Sequence, residues 1–257
     1  MELIYDVGSE NGDDSAYYLC KGYKVVGIEA SPLAVEKLQR RFAAEIAEGR
    51  YVLLPVGIAE KSGRAAFWIC DDHAPWSSFD RAIASRNGSR HHSVTVQTRP
   101  FRSILEEFGA AIYCKIDIEG SDNLCVEDFT SRTRPQYVSI EVIRGDEQLR
   151  LLRRKGYTKF KIISQRSFRQ PATALLRLKS SLPRIARLPV TAVEARLLRY
   201  RPDEMSRCRL GSSGPFGEAT EGEWRTFDEA LKIWEAVCGL GDDLNDWHDI
   251  HASLGRT

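Results

Sequence analysis

Short apolar stretches alternate with amphipathic ones along this chain, and the alternation predicts strand and helix in turn. Leu3 to Val7 reads as a strand, Gly8 to Gly12 as a glycine-punctuated turn, Asp13 to Lys21 as a helix stopped by Gly22, and Val25 to Ile28 as a second strand ending in Glu29. Ser31 and Pro32 stand where an N-cap and first helical residue belong. Val35, Leu38, Phe42 and Ile46 then recur at helical spacing until Gly49, predicting one helix whose wet face pairs Glu36 with Arg40. Tyr51 to Val56, containing Pro55, and Ala65 to Cys70 follow as strands on either side of a Lys61-Ser62-Gly63 turn. Asp71 to Asn87, with Trp76-Ser77-Ser78 inside it, predicts an irregular loop leading into a short helix. Ser93 to Thr98 alternates as a strand, and Arg102 to Phe108 reads as a helix closed by Gly109.

Three further apolar strands are predicted at Ile112 to Ile118, Tyr137 to Ile143 and Tyr157 to Ile163, with a helix from Leu149 to Arg154 before the last. Near the end, Thr226 and Glu229 form a T-x-x-E capping box for a helix over Phe227 to Val237, with Ala230, Leu231 and Trp234 as its buried stripe. Alternating strands and helices predict an α/β fold with a mostly parallel, doubly wound sheet.

Strands covered on both faces should be nearly all apolar, so Lys115, Asp117 and Glu141 stand out. The principal strands each end in an acid, Asp6, Glu29, Asp117 and Glu141, and parallel pairing would gather these ends at the sheet edge where a ligand crevice opens. The first turn narrows the ligand. Its glycines let the backbone approach a bound group without a Cβ in the way, and the amides of the next helix can receive carboxylate or phosphate oxygens. Glu29, 21 residues past Gly8, is placed to accept hydrogen bonds from ribose hydroxyls, so the expected ligand carries a nucleoside. A dinucleotide fingerprint would need a glycine between Gly8 and Gly12, where Ser9, Glu10 and Asn11 stand. On residues alone, a tight strand-to-helix turn with no ligand stays open. Val56 to Ala59, ending the third strand, is the candidate adenine edge.

The acid-x-Gly-x-x-x-Gly turn resembles motif I of class I S-adenosylmethionine (SAM) methyltransferases. KIDIEGSD at Lys115 to Asp122, following DVG-x-x-x-G and Glu29-Ala30-Ser31-Pro32, is similar to the FkbM family of SAM-dependent methyltransferases. The likeness continues through Trp76-Ser77-Ser78 and the run from Arg134 to Glu141, and covers residues 3 to 163. Gly211 to Gly217 and Trp247 to His251 resemble tails of one branch of that family. The chain departs from the pattern at Phe101-Arg102, where many members carry Leu-Asp.

The resemblance implies a Rossmann-like class I methyltransferase fold and SAM as cofactor. The residues expected to hold it are Asp6, Gly8, Ser9, Asn11, Gly12, Glu29, Ala30, Val56, Gly57 and Asp117, with Asp6 meeting the amino group and Glu29 the ribose. It also implies transfer to a hydroxyl, on a sugar in a glycan or glycosylated natural product.

Methyl transfer from a sulfonium is an in-line displacement, so the protein chiefly holds the acceptor on the axis, and a hydroxyl must also lose its proton. Asp117 and Glu119 are the candidate bases, or ligands of a hard cation together with Glu141. In a structural alternative, Asp117 caps the following turn and Lys115 pairs with a nearby acid. His251 and His73 are alternative bases, because imidazole titrates near pH 7. His91 and His92 are expected in a solvated polar loop, and His248 and His251 lack a third metal ligand nearby. Two other readings stay open: a catalytically silent SAM-binding partner subunit, and a nicotinamide-dependent oxidoreductase, which the missing glycine disfavours.

Composition adds bounds. A chain of 257 residues is long enough for one large α/β domain or a domain with an appendage. The expected division is a SAM-binding core at 1–164, a basic helical insertion at 165–210, and a C-terminal segment at 211–257 completing the core and covering the site. A net charge of +1 supplies no global attraction, so no nucleic-acid partner is expected. No apolar run approaches the roughly 20 residues of a membrane span. With a strand almost at the start and no apolar leader, a cytoplasmic protein is expected. Cysteines 20, 70, 114, 125, 208 and 238 form no C-x-x-C and are expected as reduced core thiols.

Between residues 166 and 209 basic side chains face only Glu194, Asp203 and Glu204, and prolines divide the stretch into short helical pieces such as Ala172 to Leu178 and Ala192 to Tyr200. It reads either as a solvated insertion or as a lid or docking surface for an anionic or lipid-linked acceptor, with Leu-rich faces suited to a membrane surface. The sequence does not indicate an oligomeric state.

Overall fold

The computed structural model describes residues 1–142, 145–165, 168–171, 213–238 and 247–255. The chain divides into two compact units, Met1–Gln136 and Tyr137–Thr257. The break falls before the expected boundary at 164, so the strands at 137 and 159 group with the C-terminal elements. Almost all of 165–210, including the two expected helical pieces, lies outside the described residues.

In the first unit, β1 (Leu3–Val7) lies between β2 (Lys24–Ile28) and β7 (Tyr113–Ile116), and β3 (Tyr51–Leu54) flanks β2. All of these pairings are parallel. This is the Rossmann half, with strands added outward on one side of β1 before the chain crosses to its other side. The order reverses between β1 and β7, and ligands of such sheets bind beyond the strand C-termini at that point. Gly8 and Asp117 stand there.

Helix α1 (Asp13–Cys20) sets Tyr18 edge-on to Tyr113 of β7, with ring centroids 5.6 Å apart. Helix α5 (Phe101–Phe108) sets Phe101 edge-on to Tyr5 at 5.5 Å, and the Tyr5 hydroxyl donates to the Gly109 carbonyl.

The single helix expected from Pro32 to Gly49 is two helices, α2 (Pro32–Arg41) and α3 (Ala43–Ala47), because Phe42 leaves helical geometry at φ −110°, ψ 25°. Its ring packs 4.5 Å from that of Tyr51, which ends the buried stripe there and leaves Ile46 38% exposed. The expected strand from Tyr51 to Val56 also divides. Pro55 has no N–H to give a ladder, and after it Gly57–Ile58 (β4) joins a second sheet with β5 (Gly63–Cys70) and β6 (His91–Arg99), in the order β4-β6-β5. His91 and His92 therefore begin a strand, opposite Cys70 and Ile69, instead of lying in a loop. Helices α4 (Arg81–Ala84) and α6 (Asp122–Glu127) complete this unit.

In the second unit β10 (His248–Ser253) lies between β8 (Tyr137–Glu141) and β9 (Lys159–Ser164), antiparallel to both. The sequence HDIHAS has no apolar alternation, so a central strand in which all six residues are buried read as a tail. Its Asp249 finds a partner that only folding supplies, Gln165 donating to it at 2.8 Å.

Helix α7 (Gly145–Arg154) begins before the expected Leu149. Gly145 has no Cβ because one would lie 2.5 Å from the Trp234 indole of α8 (Phe227–Cys238). The capping box of α8 forms as expected, Thr226 N–H donating to Glu229 Oε2 at 2.9 Å and Glu229 N–H to Thr226 Oγ1 at 3.4 Å. Its buried stripe is Ala230, Ile233 and Val237, with Leu231 and Trp234 only half-buried. Cys70, Cys114 and Cys125 are buried thiols as expected, whereas Cys20 and Cys238 are exposed. No helix among the described residues is long and apolar enough to cross a membrane.

His251 on β10 sets an acid limit on the second unit. Burial, then the Lys161 charge, lowers its pKa from 6.5 to about 3. A group whose folded pKa is depressed gives stability that is complete above its unfolded pKa and lost as pH falls toward the folded one. Acid titration of unfolding should therefore show the native protein losing about 2–3 kcal/mol between pH 6.5 and 4.5 through this residue. The His251→Gln variant should lack that component of the slope.

Candidate active site

The turn after β1 is built from its own backbone. Gly8 and Ser9 both donate N–H groups to the Ile28 carbonyl at the end of β2, Gly12 N–H donates to Ser9 O, and the Ser9 hydroxyl donates to Asp6 O. Gly8 has φ +81°, and a Cβ there would lie 1.8 Å from the Asp117 carbonyl oxygen. At Gly12, also at φ +81°, a Cβ would press into Phe42 and Leu38 at 2.6 and 2.7 Å. Both glycines are thus required by protein against protein. Asn11 Oδ1 accepts the Asp13 N–H, and Arg41 ties the turn from outside by donating to Asn11 O and pairing with Asp13.

Glu29 straps the turn to the end of β2. Its Oε2 accepts the Glu10 N–H at 2.9 Å and its Oε1 the Ser31 N–H at 2.7 Å. Burial raises its pKa, and the two backbone donors oppose the rise. Each oxygen keeps a lone pair for a further donor such as a ribose hydroxyl.

Lys115 lies beneath the turn. Its Nζ donates to Gly8 O at 2.7 Å and stands 3.4 Å from Asp6 Oδ1 and 3.8 Å from both Asp14 Oδ2 and Asp117 Oδ2. Lys115 therefore does pair with a nearby acid. Asp6 has no exposed surface, and its second oxygen accepts from the Ser15 hydroxyl. The acid expected to meet an amino group thus faces Lys115 and Ser15. Burial drives the Asp6 pKa up, against the opposing pull of Lys115. One cation among three carboxylates leaves a surplus of negative charge, and Asp117, with its side chain 22% exposed, presents it outward.

The loop after β7 forms the other wall. Asp122, not Asp117, caps it: Oδ1 accepts from Ile118 N–H and Oδ2 from Gly120 N–H, each at 3.0 Å. Glu119 sits at φ 49°, its carbonyl accepting from the Ser78 hydroxyl at 2.7 Å and its carboxylate paired with Arg86. Burial first, and the Asp117 charge second, raise its pKa to about 7 against the pull of Arg86. Arg86 and Ser78 were not identified as site residues. Trp76-Ser77-Ser78 was visible as a motif, but only the fold shows that it reaches Glu119.

At the expected adenine edge, Val56 is half-buried and Ala30 packs against the Phe67, Ile69 and Val96 cluster beside Phe79. A Cβ on Gly57 would lie 2.3 Å from the Phe79 ring. Phe79 is a further residue the sequence did not single out.

The remaining candidates differ in exposure. His73 is exposed, its ring 4.4 Å from that of Trp76. His251 is 1% exposed, and neither ring nitrogen has a hydrogen-bond partner among the described residues, so it presents no surface to an acceptor. Glu141 is half-buried in the second unit, where its carbonyl accepts from Gln148. Among the described residues no group of three His, Cys, Asp or Glu side chains is arranged to hold a metal ion, and Asp117, Glu119 and Glu141 do not form one.

A parallel Rossmann half with an acidic crevice at its switch point is the framework of a nucleoside-cofactor enzyme. The sequence model of the methyltransferase FkbM domain matches residues 6–159, and the chain belongs to that family of methyltransferases. No curated protein matches the chain. Among solved structures, a methyltransferase FkbM from Methylobacillus flagellatus KT is 20% identical with a TM-score of 0.37, the match covering 55% of this chain and 32% of that one. The chain thus spans about a third of that protein's length. The precorrin-6y C5,15-methyltransferase from Geobacter metallireducens GS-15 is 9% identical with a TM-score of 0.37, covering 99% of this chain and 80% of that one.

Removing the central cation tests this architecture. Lys115→Met leaves buried carboxylates uncompensated and should cost about 3–5 kcal/mol in urea unfolding at pH 7. The deficit should narrow as pH falls toward about 6, because Asp6, raised to about 6 even beside Lys115, is raised further without it and takes up its proton at higher pH in the variant.

Proposed function

We propose that this methyltransferase uses SAM to methylate a hydroxyl, with Glu119 as general base, and that the acceptor is a sugar in a glycan or glycosylated natural product. The observation carrying the reading is the pairing of an acid-rich crevice with a neighbouring carboxyl tuned to neutral pH. The surplus of negative charge around Lys115 suits a ligand bearing a sulfonium and an ammonium group, and Glu29 has lone pairs for ribose hydroxyls. SAM, when bound, supplies an electrophilic methyl on sulfur.

The chain's own residues do the rest. Asp117 offers a partly exposed carboxylate to the cationic part of the cofactor. Glu119, on the same loop, accepts the hydroxyl proton when it is ionised. A base with a pKa near the working pH is both available and strong enough to take a proton. The sugar acceptor rests on the family likeness alone.

Purified protein should gain thermal stability with S-adenosylhomocysteine and transfer labelled methyl from SAM to members of a panel of methyl glycosides. The rate should rise with pH through about 7, because the base acts deprotonated. Glu119→Gln should lower kcat about 10²–10⁴-fold and leave S-adenosylhomocysteine affinity unchanged. Binding of S-adenosylhomocysteine with no transfer to any glycoside would sink the acceptor assignment, and an unimpaired Glu119→Gln enzyme would remove the base.

A further inference from the structure

Arg86 is held at three points. Its guanidinium pairs with the Glu119 carboxylate, its Nε donates to the Ile83 carbonyl at 3.2 Å, and its Cζ stands 5.3 Å from the centre of the Trp76 ring. Trp76 is in turn backed by His73. A planar guanidinium fixed on an indole face and a backbone carbonyl offers its remaining N–H groups in one direction, where a flexible lysine would not.

The other side of the contact is equally fixed. The Glu119 backbone is tied down by the Ser78 hydroxyl, and Asp122 holds the N–H groups on either side of it. Ser78 and Arg86 come from the same irregular segment, so that one stretch grips both the main chain and the side chain of Glu119.

The charges acting on Glu119 are unequal. Asp117 and Asp122 both push its ionisation back, and Arg86 draws it forward. The carboxyl is only 13% exposed, so water does little to screen any of them.

We propose that Arg86, clamped by Trp76, is a positioning residue that keeps Glu119 ionised and oriented for proton acceptance. The proposal builds on Glu119 as the base, but its central claim, control of the Glu119 charge state, stands or falls without turnover. Removing the guanidinium leaves a buried carboxyl facing two acids, and its ionisation must move to higher pH. Lysine at this position keeps the charge but loses the fork and the stacking, so it should restore only part of the effect.

The test is carbon-13 NMR titration of glutamate side chains in full-length protein labelled at glutamate Cδ, with Glu119 assigned by the resonance missing from Glu119→Gln. Arg86→Met should raise the Glu119 midpoint by at least tenfold in the acid constant, with Arg86→Lys in between. Trp76→Leu, which keeps the guanidinium but frees it, should give a smaller shift in the same direction and serves as the second variant should Arg86→Met fail to fold. An S-adenosylhomocysteine melting shift equal to that of the native protein would show that each variant is folded. A midpoint that stays in place or falls in these variants overturns the proposal. A midpoint that rises while Glu119→Gln keeps full methyl transfer supports the clamp and overturns only the reading of Glu119 as base.

Discussion

A buried lysine holds the switch point of the parallel strands together. Lys115 rises from β7 into a space walled by Asp6 of β1, Asp14 of α1 and Asp117 of the next loop, and ends on the Gly8 carbonyl. Buried carboxylates so close together would repel one another and resist ionisation without it. One ammonium thereby links two neighbouring strands, the helix after the first and both loops at their C-terminal ends. The arrangement remains short of positive charge, and that shortage is its chemical character: it suits a ligand that brings cations of its own.

Around this ion pair cluster the two loops are shaped by contact with each other. The Gly8 backbone lies so close to the Asp117 carbonyl that no side chain fits, and Asp117 N–H donates back to Val7 O. Glu29 and Asp122 play matching parts, each a buried acid whose two oxygens catch two backbone N–H groups of a loop. The crevice walls are therefore preorganised by carboxylates serving as backbone straps, leaving Asp117 and Glu119 as the acids with other work available. Such rigidity matters for a displacement that depends mainly on geometry.

Much of this was legible in the chain. The strands at residues 3, 24, 113 and 137, the acids that end them and the motif from Lys115 to Asp122 all appear in the sequence, because buried parallel strands must be apolar and any charge at their ends is conspicuous. The strand at His248–Ser253 did not appear, since it lacks apolar alternation and its Asp249 is satisfied by Gln165, distant along the chain. The break at Phe42 was hidden for the same kind of reason: helical spacing runs through it, and only contact with Tyr51 turns the backbone.

Local pattern along the chain specifies the alternating α/β framework, the glycine turn, the acids at strand ends and the family. Tertiary structure decided which acid does what. It placed Asp6 against Lys115, made Asp122 the cap, sealed His251 inside the second unit and set Arg86 on Glu119. The physical reason is that a carboxylate's role depends on its depth and on the charges within a few ångströms of it. Those neighbours come from segments far apart in the chain, whereas strand and helix periodicity is written in adjacent residues.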